Sequence, residues 1–123
     1  GILAIAALKL GAKHLYAVDI DPQAVTATKQ NALSNNVSLD ALSSGLVEEI
    51  DLPEVDIMLA NILALPLIEL AKTLCSKVKP GGALVLSGLL EEQVDDVSRA
   101  YEPFVSNIEV TLKDEWAMLY CKR

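Results

Sequence analysis

Leu15-Tyr16-Ala17-Val18-Asp19-Ile20-Asp21-Pro22 decides the fold of this sequence. An apolar run of this length, with an acid near its end, predicts a buried parallel strand. Asp21 and Pro22 then predict a helix start. Asp21 is placed to cap the free amides, and Pro22 is preorganised for the first helical position. Asp19 could itself be only a strand-end acid capping that helix, but Asp21 is the better placed for the cap.

The same alternation continues outward. Before this run, the apolar stretch Ala4 to Leu10 predicts a helix ended by Gly11 in a left-handed conformation. It has almost no polar face, so it is expected to be buried or flanked by other elements. After it, a helix is expected to about Ser34, stopped by Asn35-Asn36, then a short strand over Ser38 to Leu42. Ser43 to Pro53 reads as acidic and irregular. Val55 to Asn61 predicts the next strand, again closed by a polar residue. Leu67, Leu70, Ala71, Leu74 and Val78 repeat at helical spacing, predicting one helix from Pro66 to Val78. Pro80-Gly81-Gly82 reads as a turn. A strand over Ala83 to Ser87, ended by Gly88, and a helix from Glu91 to Tyr101 follow. Ile108 to Leu112 and Trp116 to Tyr120 each alternate with period two around Lys113-Asp114-Glu115, predicting a terminal antiparallel hairpin. Strands alternating with helices argue an α/β sheet with helices on both faces. In such sheets ligands bind outside the carboxyl ends of the strands.

Composition narrows the function classes. In 123 residues, 52% are hydrophobic and 22% charged, with one Trp, three Tyr and one Phe, so the core is aliphatic. Mean hydropathy is +0.37, which fits a folded chain rather than a disordered one. No apolar run approaches the ~20 residues of a membrane span, and no membrane association is expected. Seventeen acids against ten bases give a net charge of −7, without the basic patch usual in nucleic-acid binders. Direct nucleic-acid binding is therefore not expected. The two cysteines, Cys75 and Cys121, lie far apart and outside any metal-ligand spacing. They read as buried or free thiols in a reducing, cytoplasmic compartment, and no metal site is expected. His14 reads as a solvated connection residue.

Two strand ends carry the candidate chemistry. A carboxylate at the Asp19 position can accept hydrogen bonds from both hydroxyls of a ribose. Its separation from Gly1, about 18 residues, suits a nucleotide-type ligand. Ile20 would then lie against an adenine face. Asn61 offers two donors and an acceptor, which suits orienting an amine. A nicotinamide-dependent dehydrogenase would use Asp19 equally well. The Asn61 strand end and the hairpin at Trp116 argue against that class.

Gly1-Ile2-Leu3-Ala4-Ile5-Ala6-Ala7-Leu8-Lys9-Leu10-Gly11-Ala12 resembles the second half of motif I of class I S-adenosylmethionine methyltransferases. Ala17 to Pro22 resembles their following acidic motif. Asn61-Ile62-Leu63-Ala64-Leu65-Pro66-Leu67, Leu86-Ser87-Gly88-Leu89-Leu90 and Glu115-Trp116 resemble the PrmA family of ribosomal protein methyltransferases. The resemblance runs the whole length of the chain. It implies a Rossmann-like α/β fold with a mostly parallel sheet and a terminal antiparallel hairpin. It implies transfer of methyl groups from S-adenosylmethionine to lysine and α-amino groups of a basic ribosomal protein. It places Gly1 near the methionine part of the cofactor, Asp19 on the ribose, Ile20 on the adenine and Asn61 at the methyl-transfer site. The backbone around Leu42 to Ser44 is expected near the adenine amine. Residues 1–123 would be the methyltransferase domain truncated at its N-terminus, with the family's first strand missing from this chain. The strands at Leu15 and Val55 would then each keep an unpaired edge. The remaining alternatives are a class I methyltransferase acting on RNA or a small molecule, and a non-catalytic fragment.

Overall fold

The computed structural model describes residues 1–123. They form two compact units, Gly1–Leu52 and Pro53–Arg123.

In the first unit, helix α1 (Ile2–Lys9) leads into strand β1 (Leu15–Asp19), helix α2 (Pro22–Ser34) and strand β2 (Leu42–Leu46). The α1 helix ends as expected, with Gly11 at φ +105°. Asp21 caps α2 by accepting from the Gln23 amide at 2.9 Å, with Pro22 opening the helix. β1 and β2 are parallel, Leu15 pairing Leu42 and Asp19 pairing Leu46. Ala4, Ala32, Val37 and Leu42 form the core, with Ile5, Leu8, Leu15 and Ala17 packed against it. Both helices therefore cover the face of the sheet that carries Leu15 and Ala17.

Two expectations are corrected here. The second strand is Leu42–Leu46, not Ser38 to Leu42, because Ser38 instead caps a short 3-10 turn over Leu39–Ala41, its hydroxyl accepting from the Asp40 amide. The first strand is parallel but not buried, since Tyr16 and Val18 are exposed on the face opposite the helices. Likewise α1 is flanked on one side only: Ala4 is its one buried residue, while Ile2, Leu3 and Leu10 are exposed. His14 is exposed as expected, hydrogen-bonded through Nε2 to the Ser43 hydroxyl at 2.9 Å and packed against the Tyr16 ring.

The second unit holds β3 (Val55–Asn61), α3 (Ala64–Glu69), α4 (Ala71–Ser76), β4 (Val78–Leu90), α5 (Val94–Tyr101), β5 (Asn107–Lys113) and β6 (Trp116–Lys122). The sheet order is β3-β4-β6-β5, with β3 parallel to β4 and the other pairs antiparallel. The terminal hairpin is as expected, its turn made by Asp114 at φ +57°. The helix expected over Pro66 to Val78 is two helices that start at Ala64 and break at Leu70. Its inner face survives the break, with Leu67, Ala71 and Cys75 all buried. The helix expected from Glu91 begins with a 3-10 turn over Glu91–Gln93, held by the Leu90 amide donating to Gln93 Oε1 at 2.8 Å. β4 is also longer than Ala83 to Ser87. Pro80-Gly81-Gly82 lies inside it as a register break, and the strand continues through Gly88.

The core packs Leu84, Leu86 and Leu119 of the sheet against Leu67, Val97 and Tyr101 of the helices, all at most 1% exposed. The buried Tyr101 hydroxyl donates to the Leu67 carbonyl at 2.7 Å, so its polar atom is satisfied. β1 bonds only β2, and β3 bonds only β4, so each keeps one free edge. No helix is long and apolar enough to cross a membrane.

Both cysteines are buried free thiols. Burial pushes the Cys121 thiol up from 9.0 to about 11, and the Cys75 thiol is also raised by burial, partly offset by Arg123. The folded state therefore holds the Cys121 proton more tightly than the unfolded chain. That preference contributes stability in full below about pH 9 and loses it as pH rises toward about 11. At pH 8 the folded protein is expected to resist alkylation at both thiols, because each is protonated and inaccessible. Peptide-resolved mass spectrometry checks this. Alkylation of either cysteine at the rate of the denatured chain would contradict it.

Candidate functional site

Asp19 closes β1 and is exposed. One carboxylate oxygen, Oδ1, accepts the Asp21 amide at 3.0 Å. The other oxygen has no partner in the protein. The carboxylate is thus held by its turn and still has accepting capacity for a ligand hydroxyl. Ile20 follows it and is 84% exposed. A large aliphatic side chain beside a free carboxylate suits a ligand with a flat apolar face and neighbouring hydroxyls.

Gly1 caps α1. A side chain there would begin 2.6 Å from the Thr28 hydroxyl oxygen on α2, so the close approach of the helices requires glycine. Thr28 is itself buried, its hydroxyl donating to the Ala24 carbonyl at 2.8 Å.

The register moves one expected contact. Leu42 to Ser44 pair with Leu15 to Ala17, at the start of β1, whereas Leu46 is level with Asp19. At roughly 3.3 Å per residue, Ser44 lies about two residues short of the strand end. The backbone that reaches the Asp19 end is Leu46-Val47, with the Val47 amide donating to the Asp19 carbonyl at 3.1 Å.

Asn61 closes β3 in the second unit, paired with Ser87 of β4. Its carboxamide makes no hydrogen bond within the protein. It opens onto a cleft of about 450 Å³ lined by Ile62, Leu63, Ser87, Gly88 and Trp116. None of these side chains is ionisable, and the two aliphatic chains and the half-exposed indole make the walls apolar. Such a cleft favours a neutral amine over an ammonium ion. Ser87, Gly88 and Trp116 were not assigned roles from the sequence. The signal available was a glycine near the end of a strand and an aromatic residue opening a hairpin. No cluster of His, Cys, Asp and Glu suited to a metal occurs.

Residues 1–123 match the family described as ribosomal protein L11 methyltransferase (PrmA). The chain belongs to that family. A ribosomal protein L11 methyltransferase of Psychrobacter sp. is 56% identical over 111 residues, covering 85% of this chain and 36% of that protein. The one from Acinetobacter baylyi is 48% identical over 130 residues, covering all of this chain and 43% of that protein. The chain thus spans about two-fifths of the length of these PrmA relatives. The crystal structure of a ribosomal protein L11 methylase from Lactobacillus delbrueckii superposes with a TM-score of 0.89 at 34% identity, covering all of this chain and 65% of that one. An RNA methyltransferase from Salinibacter ruber, solved with S-adenosyl-L-homocysteine, shares the fold at a TM-score of 0.76 and 18% identity, covering 99% of this chain and 73% of that one. The Rossmann-like α/β class expected of a PrmA chain is therefore the one observed.

Proposed function

We propose that residues 1–123 belong to the methyl-transfer domain of a cytoplasmic protein methyltransferase that uses S-adenosylmethionine to N-methylate lysine and α-amino groups of a basic ribosomal protein, L11. The observation that carries this reading is the Asn61 carboxamide, unpartnered and open to an apolar cleft at a strand end, in a chain whose relatives are named for methylating L11.

The chain's own residues fit the cofactor. The free oxygen of Asp19 suits the ribose hydroxyls, and the exposed Ile20 suits the adenine face. Gly1 would sit near the methionine part. S-adenosylmethionine supplies a methyl group on a strongly electrophilic sulfonium. The protein's task is then positioning. Asn61 accepts a hydrogen bond from the incoming amine and fixes its direction. The apolar walls of the cleft favour the neutral, nucleophilic form of that amine. The cleft lining offers no ionisable side chain as general base, so the amine proton leaves to solvent. The net charge of −7 suits a basic protein substrate and disfavours an RNA.

The test offers the full-length protein purified L11 and ribosomal RNA, each with methyl-labelled S-adenosylmethionine. Label is expected in L11, at lysine and N-terminal amines by peptide mapping. Label in the RNA with none in L11 would replace this reading with the RNA-directed one.

A further inference from the structure

We propose that Gly88 is a positioning residue for methyl transfer: its missing side chain fixes where the Asn61 carboxamide sits. The inference rests on the reading of Asn61 given above and names what holds it in place.

Gly88 lies in a β-bulge. Leu86 pairs Leu119 and Leu89 pairs Ala117, so Ser87 and Gly88 together oppose Met118 alone. A bulge of this kind bends its strand and re-aims the neighbouring side chains. It needs a residue that accepts a left-handed backbone, and Gly88 has φ +88°.

The bulge presses the Gly88 backbone against the end of β3. A Cβ on Gly88 would lie 2.5 Å from the Ile62 carbonyl oxygen, 3.0 Å from the Ile62 carbonyl carbon and 2.9 Å from Asn61 Oδ1. Two of these neighbours are backbone and cannot swing aside. The third is the oxygen proposed to meet the amine. Any side chain at Gly88 must therefore displace the Asn61-Ile62 backbone, the carboxamide, or both. The carboxamide makes no hydrogen bond to the protein, so the place it takes beside Gly88 depends on the space that the missing side chain leaves open. A shift on the order of 1 Å at a reacting group can cost about a hundred-fold in rate.

The experiment is a double-mutant cycle on the full-length protein, read as turnover on L11 and as S-adenosylmethionine affinity. Gly88→Ala is expected to lower kcat about ten- to a hundred-fold with far less change in cofactor affinity. In an Asn61→Ala background the same substitution is expected to change kcat little, because the group it displaces is gone. Gly88→Asn tolerates the positive φ but still carries a Cβ, and it is expected to lose kcat as well. An undiminished Gly88→Ala effect in the Asn61→Ala background would overturn the inference while leaving Asn61 in its role. Full turnover by Gly88→Asn would overturn it too, as would thermal melts showing that neither Gly88 variant folds. Wild-type turnover by Asn61→Ala alone would overturn the site assignment and, with it, this inference.

Discussion

Asn61→Ala in the full-length protein is expected to lower turnover on L11 by about a hundred-fold, the loss typical of removing one oriented hydrogen-bonding group from a reaction site. Cofactor affinity should change far less. The asymmetry follows from where the carboxamide points. It bonds nothing in the protein, so its removal costs little folding stability. It faces the cleft rather than the core. The interaction lost is the one with the attacking nitrogen, which is used mainly as the new bond forms. Steady-state kinetics with L11, set beside calorimetric titration of S-adenosylmethionine, separates the two quantities. Normal turnover combined with weakened cofactor binding would reverse the assignment and make Asn61 a cofactor residue.

Asp19→Ala should show the opposite split. Its free carboxylate oxygen is proposed to take the ribose hydroxyls, each such charge-assisted bond being worth roughly 1.5–3 kcal/mol at most. Affinity for S-adenosylmethionine is expected to fall about ten-fold or more. The substitution also removes the acceptor of the Asp21 amide at 3.0 Å. That bond is exposed, so the fold should lose only about 0.5–1.5 kcal/mol. Asp19→Asn separates the two roles, because it keeps an oxygen for the Asp21 amide and discards the charge. Calorimetric titration of the wild type and both variants decides it. Equal affinities would remove Asp19 from the cofactor site.

Much of the frame is legible in local sequence. The Asp21-Pro22 helix start is a local signal, with cap and proline adjacent, and the structure has the cap bond. The terminal hairpin is legible because Ile108, Val110 and Leu112 alternate with polar residues along β5, although burial alternates only along β6. β2 is not. Leu42-Ser43-Ser44-Gly45-Leu46 has no continuous apolar run, and it becomes a strand only because β1 pairs with it. In the observed register Leu42 to Ser44 lie beside the start of β1, and Leu46 is level with Asp19. The helix break at Leu70 was hidden because the apolar repeat runs straight across it.

The candidate site divides the same way. Asp19 and Asn61 stand out because each is a polar residue closing an apolar strand. Gly88 looked like a strand terminator, the ordinary reading of a lone glycine after Leu-Ser. Its actual role depends on pairing with β6 nearly thirty residues later and on contact with Ile62, and neither leaves a local trace. The exposed faces of β1 and β3 were equally hidden. Tyr16, Val18, Ile57 and Leu59 have the composition of buried strands and are nonetheless open.

The measurement that bears most directly on the account is a crystal structure of the full-length protein with S-adenosyl-L-homocysteine. The ribose hydroxyls are expected on the free carboxylate oxygen of Asp19, with the adenine against Ile20. A ligand whose ribose lies away from Asp19 would contradict this.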